Sequence, residues 1–169
     1  MKLTKEFTVR MLKYVDTKVV FQEIPDEITL AINISNCPCQ CKGCHSPYLA
    51  EDIGTELTFS EVKRLIKNNS GISCIAFMGG DIEPKRVDAL ASFVINHFQL
   101  KVAWYSGRQE LSKDIELRNF DYIKLGPYIE ERGPLSSRTT NQRLYRVEPF
   151  DDIVPGDYCL IDITDKFWK

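Results

Sequence analysis

The sequence ISCIAFMGGD, residues 72–81, carries the strongest indication of the fold. Its first seven residues are almost continuously apolar, a pattern typical of a strand that is covered on both faces in a parallel sheet. Two glycines and an aspartate follow at once, and such residues end a strand and begin a turn. The stretch therefore predicts a buried parallel strand with a polar loop at its carboxyl end.

Other strand-like stretches lie on both sides of this one along the chain. They cover residues 27–35, 101–106, 121–125, 142–147 and 158–163, after a short extended N-terminal region. Helical stretches separate several of them, and such alternation predicts parallel strands joined by helical crossovers. The alternation becomes weaker toward the C-terminus.

The helical stretches have apolar residues at helical spacing. Residues 58–68 begin with Thr58 and Glu61, which form a capping-box pattern. Residues 84–98 begin with a proline, which suits a first helical turn, and continue with an apolar stripe. A weaker helical pattern covers residues 113–119. We therefore expect two helices and a third, less regular one.

Length and composition narrow the fold class. The chain has 169 residues, of which 43% are hydrophobic and 27% charged, as in one ordinary globular domain. A complete eight-fold α/β barrel has roughly 250 residues. We therefore expect a single domain over residues 1–169 with an α/β fold: a partial (βα) barrel, with a mostly parallel sheet and helices on the outside.

Charge and hydropathy exclude some classes of function. The net charge of −2 gives no reason to expect a nucleic-acid partner. The opening MKLTKEFTVR has no apolar stretch of signal length, and no run approaches the roughly 20 apolar residues of a membrane span. We expect a cytoplasmic protein with no membrane partner.

Four of the six cysteines lie in the eight-residue stretch CPCQCKGC, residues 37–44. Without Cys39, the spacing of Cys37, Cys41 and Cys44 is CxxxCxxC. Three thiolates on one short loop can hold three corners of an iron-sulfur cube, which leaves the fourth iron without a protein ligand. A metal with a free position can bind a substrate or cofactor directly. The spacing therefore favours a catalytic metal site over a structural one.

Other readings of the cysteines are less favoured. Disulfides are rare in a reducing compartment, where close cysteines more often bind metal or take part in catalysis. Structural zinc sites usually draw ligand pairs from separated parts of the chain. We interpret Cys39 as a residue that does not bind the metal, and Cys74 and Cys159, each in an apolar run, as core residues. A non-catalytic zinc or iron-sulfur module stays as an alternative.

Unusual residues follow four of the predicted strands. They are the cysteine loop 37–44, then 79–81, 106–107 and 126–127. Because loops at the carboxyl ends of parallel strands collect on one side of a sheet, we expect all four to converge on the presumed metal.

The cysteine loop also carries a family resemblance. CPCQCKGCHSP resembles the cluster loop of radical S-adenosylmethionine enzymes, and its run Gly43, Cys44, His45 is typical of the glycyl-radical activating branch. Within that branch it is most similar to the activating proteins of anaerobic (class III) ribonucleoside-triphosphate reductases. The segments MGGD, AWYSG, IKLGPYIEE and TTNQRL resemble further family motifs, so that the similarity spans residues 33–144.

The resemblance implies a cofactor set and a reaction. Cys37, Cys41 and Cys44 would bind a [4Fe-4S] cluster, whose open iron would chelate S-adenosyl-L-methionine. Reduction by a low-potential donor such as flavodoxin or ferredoxin would yield methionine and a 5'-deoxyadenosyl radical. That radical would abstract hydrogen from a glycine of the reductase, the protein substrate. A small-molecule radical enzyme similar to 7-carboxy-7-deazaguanine synthase is the alternative.

The resemblance also implies contacts to S-adenosylmethionine. Gly79 and Gly80, without Cβ atoms, would let the backbone approach its methionine portion, and Asp81 would accept a hydrogen bond from its ammonium group. Gly43 and His45 would contact cofactor or sulfide beside Cys44, although His45 fits a solvent-facing loop equally well. Roles in cofactor or partner binding stay open for Asn141, Gln142 and Arg143, and a polar start to a strand fits these three residues equally well.

Overall fold

The strands of this protein form one eight-stranded sheet in a computed structural model that describes residues 9–150 and 156–168. The strands are β1 (Lys13–Val20), β2 (Thr29–Ile34), β3 (Thr55–Glu56), β4 (Cys74–Met78), β5 (Lys101–Tyr105), β6 (Tyr122–Leu125), β7 (Arg143–Pro149) and β8 (Tyr158–Asp162). Their order across the sheet is β3-β1-β2-β4-β5-β6-β7-β8. The first eight residues of the predicted extended N-terminal region lie outside the described residues.

The centre of the sheet is parallel and its two sides are antiparallel. Strands β2, β4, β5 and β6 are parallel neighbours. On one side, β1 pairs antiparallel with β2 and β3, and on the other, β7 pairs antiparallel with β6 and β8. The predicted strands at 27–35, 72–78 and 101–106 are confirmed, with slightly shorter bounds.

The expected partial (βα) barrel, with a mostly parallel sheet and helices on the outside, is wrong. The sheet is open and mixed, and the described residues form two α-helices, α1 (Phe59–Asn68) and α2 (Pro84–His97). The crossover from β5 to β6 has only a short 3-10 turn, Leu117–Asn119, where residues 113–119 had indicated a helix. Since the outer strands pair antiparallel, they need no helical crossover, and the parallel barrel pattern stops at both sides.

Both α-helices begin as the sequence indicates. The Thr58 hydroxyl accepts a hydrogen bond from the Glu61 backbone N–H at 3.1 Å, which satisfies one of the free donors at the start of α1. Pro84 occupies the first turn of α2, where its missing N–H costs nothing. The buried residues of the two helices pack against one face of the sheet: Val62, Leu65, Val87, Leu90, Ala91 and Val94.

The opposite face of the sheet has small side chains at its centre. Ala31, Ala76 and Ala103 lie side by side in register on β2, β4 and β5. Ile24 and Ile163 are buried over this face. The two faces are therefore covered differently, one by helices and the other by irregular chain segments.

In the part of the chain that the structure describes, no helix combines the length and the apolar character of a membrane span.

Candidate cofactor and metal site

The loops that follow the four parallel strands start side by side. Asn33 of β2 pairs with Met78 of β4, Met78 with Tyr105 of β5, and Tyr105 with Lys124 of β6. All four strands end within a few residues of this row. The predicted convergence of the four loops is confirmed, and we call this part of the molecule the carboxyl end of the sheet.

The cysteine loop is an irregular segment that is anchored at its start. The Asn36 N–H donates to the Glu51 carbonyl at 2.8 Å, and the Cys37 N–H donates to the Leu49 carbonyl at 2.8 Å. Within the loop, the Cys44 N–H donates to the Cys41 carbonyl at 3.2 Å. These bonds fix the start of the loop to residues 49–51 and close a turn at its end.

The four thiols of the loop are free and differ in exposure. Cys44 is exposed, whereas Cys37, Cys39 and Cys41 are half-buried. A hydrogen bond from Cys39 lowers the pKa of Cys37 to about 6, and the same contact raises the pKa of Cys39. Cys44 Sγ accepts a hydrogen bond from the Ser46 N–H at 3.4 Å.

The residues match an iron-sulfur cluster in the type and number of their donors. Three thiols on one loop suit three corners of a [4Fe-4S] cube. In this loop conformation, the side chains of Cys37 and Cys39 interact. Among residues 9–150 and 156–168, no three Cys, His, Asp or Glu side chains are grouped as around a metal ion. The chain therefore has three thiols of the kind that a cluster needs, but this structure does not group them.

Cys39 makes contacts of its own with the neighbouring loops. Its Sγ lies 3.8 Å from Asp81 Oδ2. It also lies directly against Gly107, since a Cβ built on that glycine would be only 2.6 Å from the sulfur. The closest approach between the cysteine loop and the loop after β5 thus requires a glycine at position 107.

Asp81 is buried and firmly held at the carboxyl end of the sheet. It is 7% exposed. The Ser106 hydroxyl donates to Oδ1, and the Gly107 N–H donates to Oδ2 at 2.9 Å. The carboxylate is therefore fixed by the loop after β5, beside the Cys39 thiol. Sequence reasoning singled out Asp81 but missed Ser106 as its partner.

Lys124 is a second charged residue that sequence reasoning missed. It is 8% exposed, and its Nζ donates to the Gly126 carbonyl at 2.6 Å and to the Ser106 carbonyl at 3.4 Å. Burial lowers the pKa of Lys124 to about 8, a shift that the negative charges of Asp81 and the cysteines oppose. A lysine in the otherwise apolar strand YIKL was the signal that could have revealed it.

Gly79 and Gly80 form the turn from β4 to α2. Both have positive φ, +101° and +90°. The Gly79 N–H donates to the Tyr105 carbonyl at 2.9 Å, and the Gly79 carbonyl accepts from Trp104 Nε1 at 2.8 Å. A Cβ on Gly80 would lie 2.5 Å from Val87 Cγ2. The turn itself therefore requires these glycines, whether or not they also contact a cofactor.

Gly43 and His45 touch the loop that follows β6. A Cβ built on Gly43, whose φ is +72°, would lie 3.2 Å from the Glu130 carboxyl carbon. His45 is exposed, and its ring lies 5.0 Å from the Tyr128 ring, centroid to centroid. His45 thus faces solvent and also has an aromatic partner, which the sequence did not reveal.

The connection between β6 and β7 contains Asn141, Gln142 and Arg143. Asn141 Nδ2 donates to the Pro127 carbonyl at 2.9 Å, while its Oδ1 is buried without a hydrogen-bond partner. Arg143 donates to the carbonyls of Thr140 and Gln142, each at 2.8 Å. These contacts suit the reading of the three residues as a polar start to a strand.

The two isolated cysteines differ from each other. Cys74 is fully buried in β4, as predicted, and burial raises its pKa. Cys159 is only half-buried on the outermost strand β8, so its assignment to the core was wrong.

An open cavity of about 530 Å³ adjoins Asp81. Its remaining lining comes from the start of α2 and the segment after β5: Pro84, Arg108, Gln109, Glu110, Leu111 and Ser112. Its volume lies in the range of small-molecule sites.

Comparison of the chain with protein-family models, with curated proteins and with solved structures found no match. The motif resemblance around the cysteine loop therefore rests on the residues themselves. Asp81 and Lys124 lie in two of the resembling segments, MGGD and IKLGPYIEE, but the resemblance gave Lys124 no role.

Proposed function

We propose that this protein is a cytoplasmic radical S-adenosylmethionine enzyme that activates an anaerobic ribonucleoside-triphosphate reductase by forming a glycyl radical on it. The proposal starts from the CxxxCxxC spacing of Cys37, Cys41 and Cys44. The observation that supports it best is a buried carboxylate and a buried ammonium group near the cysteine loop, from Asp81 and Lys124.

These two charges complement the amino-acid end of S-adenosylmethionine. That end carries an α-ammonium group and an α-carboxylate close together. Asp81 suits the ammonium group, and Lys124 suits the carboxylate, because charge-assisted hydrogen bonds are strong where water is largely excluded. An ammonium group has three donors, and the carbonyls of Ser106 and Gly126 use two of those on Lys124.

The cysteine thiols account for the iron-sulfur part of the proposal. Cys37, Cys41 and Cys44 would hold a [4Fe-4S] cluster, with Cys39 outside the ligand set. When bound and reduced, the cluster with S-adenosylmethionine supplies the 5'-deoxyadenosyl radical that abstracts hydrogen from the glycine Cα. Flavodoxin or ferredoxin is the kind of low-potential donor that this chemistry needs.

The exposure of the cysteine loop suits a protein substrate. Lys42, Cys44 and His45 are all exposed, so the loop lies at the surface of the molecule. A glycine in a loop of another protein can reach such a site, whereas it could not enter a closed cavity. Surface placement therefore favours a protein substrate over a small metabolite.

The test is anaerobic reconstitution with iron and sulfide, reduction with dithionite, and electron paramagnetic resonance with and without S-adenosylmethionine. We expect the spectrum of the reduced cluster to change when S-adenosylmethionine is added. After the reductase is added, we expect the doublet of a glycine-centred radical. A spectrum that S-adenosylmethionine leaves unchanged would contradict direct chelation.

The same experiment separates the alternatives. An enzyme similar to 7-carboxy-7-deazaguanine synthase would cleave S-adenosylmethionine while turning over a free metabolite, with no glycine-centred radical on the reductase. A zinc module would be colourless after reconstitution and indifferent to dithionite.

A further inference from the structure

Ser106 lies where the two charged side chains of the site meet. It is completely buried at the end of β5. Its hydroxyl contacts the carboxylate of Asp81, and its carbonyl accepts a hydrogen bond from Lys124 Nζ at 3.4 Å. One residue therefore contacts both of the groups that would bind the amino-acid end of S-adenosylmethionine.

The direction of the Ser106 hydroxyl hydrogen follows from its neighbours. The Arg108 N–H donates to Ser106 Oγ at 3.0 Å, so the oxygen acts as an acceptor there. The hydroxyl's own hydrogen is left for Asp81 Oδ1. The Gly107 N–H donates to Oδ2 at 2.9 Å, and the Cys39 thiol donates to the same oxygen at 3.8 Å, so both carboxylate oxygens are held.

We propose that Ser106 is a positioning residue for the amino-acid end of S-adenosylmethionine. Its hydroxyl fixes the rotation of the Asp81 carboxylate, so that the remaining acceptor sites of that group are held in one orientation for an ammonium group. The proposal rests on the proposed function, and it adds a residue that acts through Asp81 and does not touch the ligand.

Loss of the hydroxyl has a specific consequence. In Ser106→Ala, the Asp81 carboxylate would be held through Oδ2, by the Gly107 N–H and the Cys39 thiol, and Oδ1 would lose its donor from Ser106. The torsion that rotates a carboxylate has only broad minima. The Ser106 carbonyl is unchanged by this substitution, so its contact with Lys124 stays. We therefore expect weaker binding of the ammonium group and an unchanged site for the carboxylate.

The experiment compares two ligands on the cluster-reconstituted protein by anaerobic calorimetry. S-adenosylhomocysteine has the whole amino-acid end and is not cleaved, whereas 5'-methylthioadenosine lacks that end. We expect Ser106→Ala to weaken S-adenosylhomocysteine binding on the order of tenfold, the size of a lost hydrogen bond to a charged group. Binding of 5'-methylthioadenosine should not change, and Ser106→Thr, which retains the hydroxyl, should bind S-adenosylhomocysteine within a few-fold of the original protein.

Ser73→Ala is the matched control. Ser73 Oγ also donates to a buried carboxylate, Glu27 Oε2 at 2.6 Å, but at the opposite end of the sheet. Ser73→Ala should leave the affinities for S-adenosylhomocysteine and 5'-methylthioadenosine unchanged. Unchanged S-adenosylhomocysteine binding in Ser106→Ala, or an equal loss for both ligands, would overturn the positioning role alone. Absence of S-adenosylhomocysteine binding to the original protein would overturn the proposed function and this inference together.

Discussion

At the scale of single residues, Lys124 is a charged side chain in a buried environment. Burying an ammonium group costs free energy unless hydrogen bonds and opposite charges compensate. Here the carbonyls of Gly126 and Ser106 accept its hydrogen bonds, and Asp81 contributes an opposite charge nearby. A buried cation near the thiols of Cys37, Cys39 and Cys41 would suit an anionic ligand group.

Lys124→Met should weaken both ligand binding and stability. The substitution keeps a side chain of similar length and removes the charge. We expect S-adenosylhomocysteine binding by the reconstituted protein to fall on the order of tenfold or more, since a charge-assisted hydrogen bond is lost. Stability in urea should also fall, because the buried Asp81 loses an opposite charge and two carbonyls lose their donor.

The control for this prediction is Lys67→Met, at an exposed lysine of α1. It should alter neither binding nor stability. If Lys124→Met binds S-adenosylhomocysteine as tightly as the original protein, Lys124 does not contact the ligand carboxylate.

The ligand assignment within the cysteine loop can be tested with two alanine variants. Cys41→Ala should abolish cluster assembly, because it removes one of the three proposed ligands. Cys39→Ala should retain most of the iron, since Cys39 lies outside the proposed ligand set. Iron and sulfide content and the visible absorption of the reconstituted proteins measure both. Equal loss in the two variants would reverse the assignment.

Among the structural elements, the turn between β4 and α2 has the strictest requirements. Gly79 and Gly80 both have positive φ, and Gly80 packs against Val87 of α2. The turn sets where α2 begins and where Asp81 lies. A change in its backbone should therefore affect both stability and the site.

Gly80→Ala should be clearly destabilising. The new Cβ would lie 2.5 Å from Val87 Cγ2 on a backbone with φ of +90°. Positive φ costs roughly 1–2 kcal/mol for an L-residue, and overpacking adds typically 1–3 kcal/mol. We expect the free energy of unfolding in urea to fall by about 2–5 kcal/mol.

Gly71→Ala separates the two causes of that loss. Gly71 also has positive φ, +85°, but no atom lies within 4 Å of its added Cβ. The free energy of unfolding of Gly71→Ala should therefore fall only by the backbone cost, about 1–2 kcal/mol. Equal losses in the two variants would show that the contact with Val87 contributes nothing.

Across the whole molecule, the two ends of the sheet have different charged groups. The amino ends of the parallel strands carry Glu27, which is buried. Its carboxylate accepts hydrogen bonds from Lys101 Nζ, from Ser73 Oγ at 2.6 Å and from the Tyr122 hydroxyl at 3.2 Å. This network ties the segment before β2 to β5 and β6, and it lies opposite the cysteine loop.

The network predicts how stability depends on pH. Burial alone would raise the pKa of Glu27, but the hydrogen bonds from Lys101 and Ser73 outweigh burial and lower it. A carboxyl group whose pKa is lower in the folded than in the unfolded state stabilises the fold fully above the unfolded pKa. That contribution is lost as the pH falls from about 4.3 through the folded pKa.

Urea unfolding at a series of pH values from 7 to 3 measures this effect. Glu27→Gln should be less stable than the original protein at pH 7 and should lose less stability on acidification. Glu131→Gln, at an exposed glutamate, should retain the original pH dependence. An unchanged pH dependence in Glu27→Gln would show that its carboxylate is not stabilised by the fold.

Local sequence patterns were sufficient for the central elements. Apolar runs and capping residues indicated β2, β4, β5 and both α-helices, because periodicity and helix caps depend on residues that are near one another in the chain. The antiparallel strand β1, KYVDTKVV, was expected only as extended chain, since polar residues interrupt its pattern. Whether a sheet stays open depends on which distant strands pair, and local patterns do not show that. The expected partial (βα) barrel was therefore wrong.

The sequence by itself determined the cysteine spacing and the loops that follow the parallel strands, because both depend on short stretches of chain. Only the tertiary structure decided that Ser106 holds Asp81, that Lys124 is buried beside them, and that Cys37 pairs with Cys39. Ser106 and Asp81 are 25 residues apart. Contacts over such separations depend on strand register and side-chain packing, which no local pattern of residues specifies.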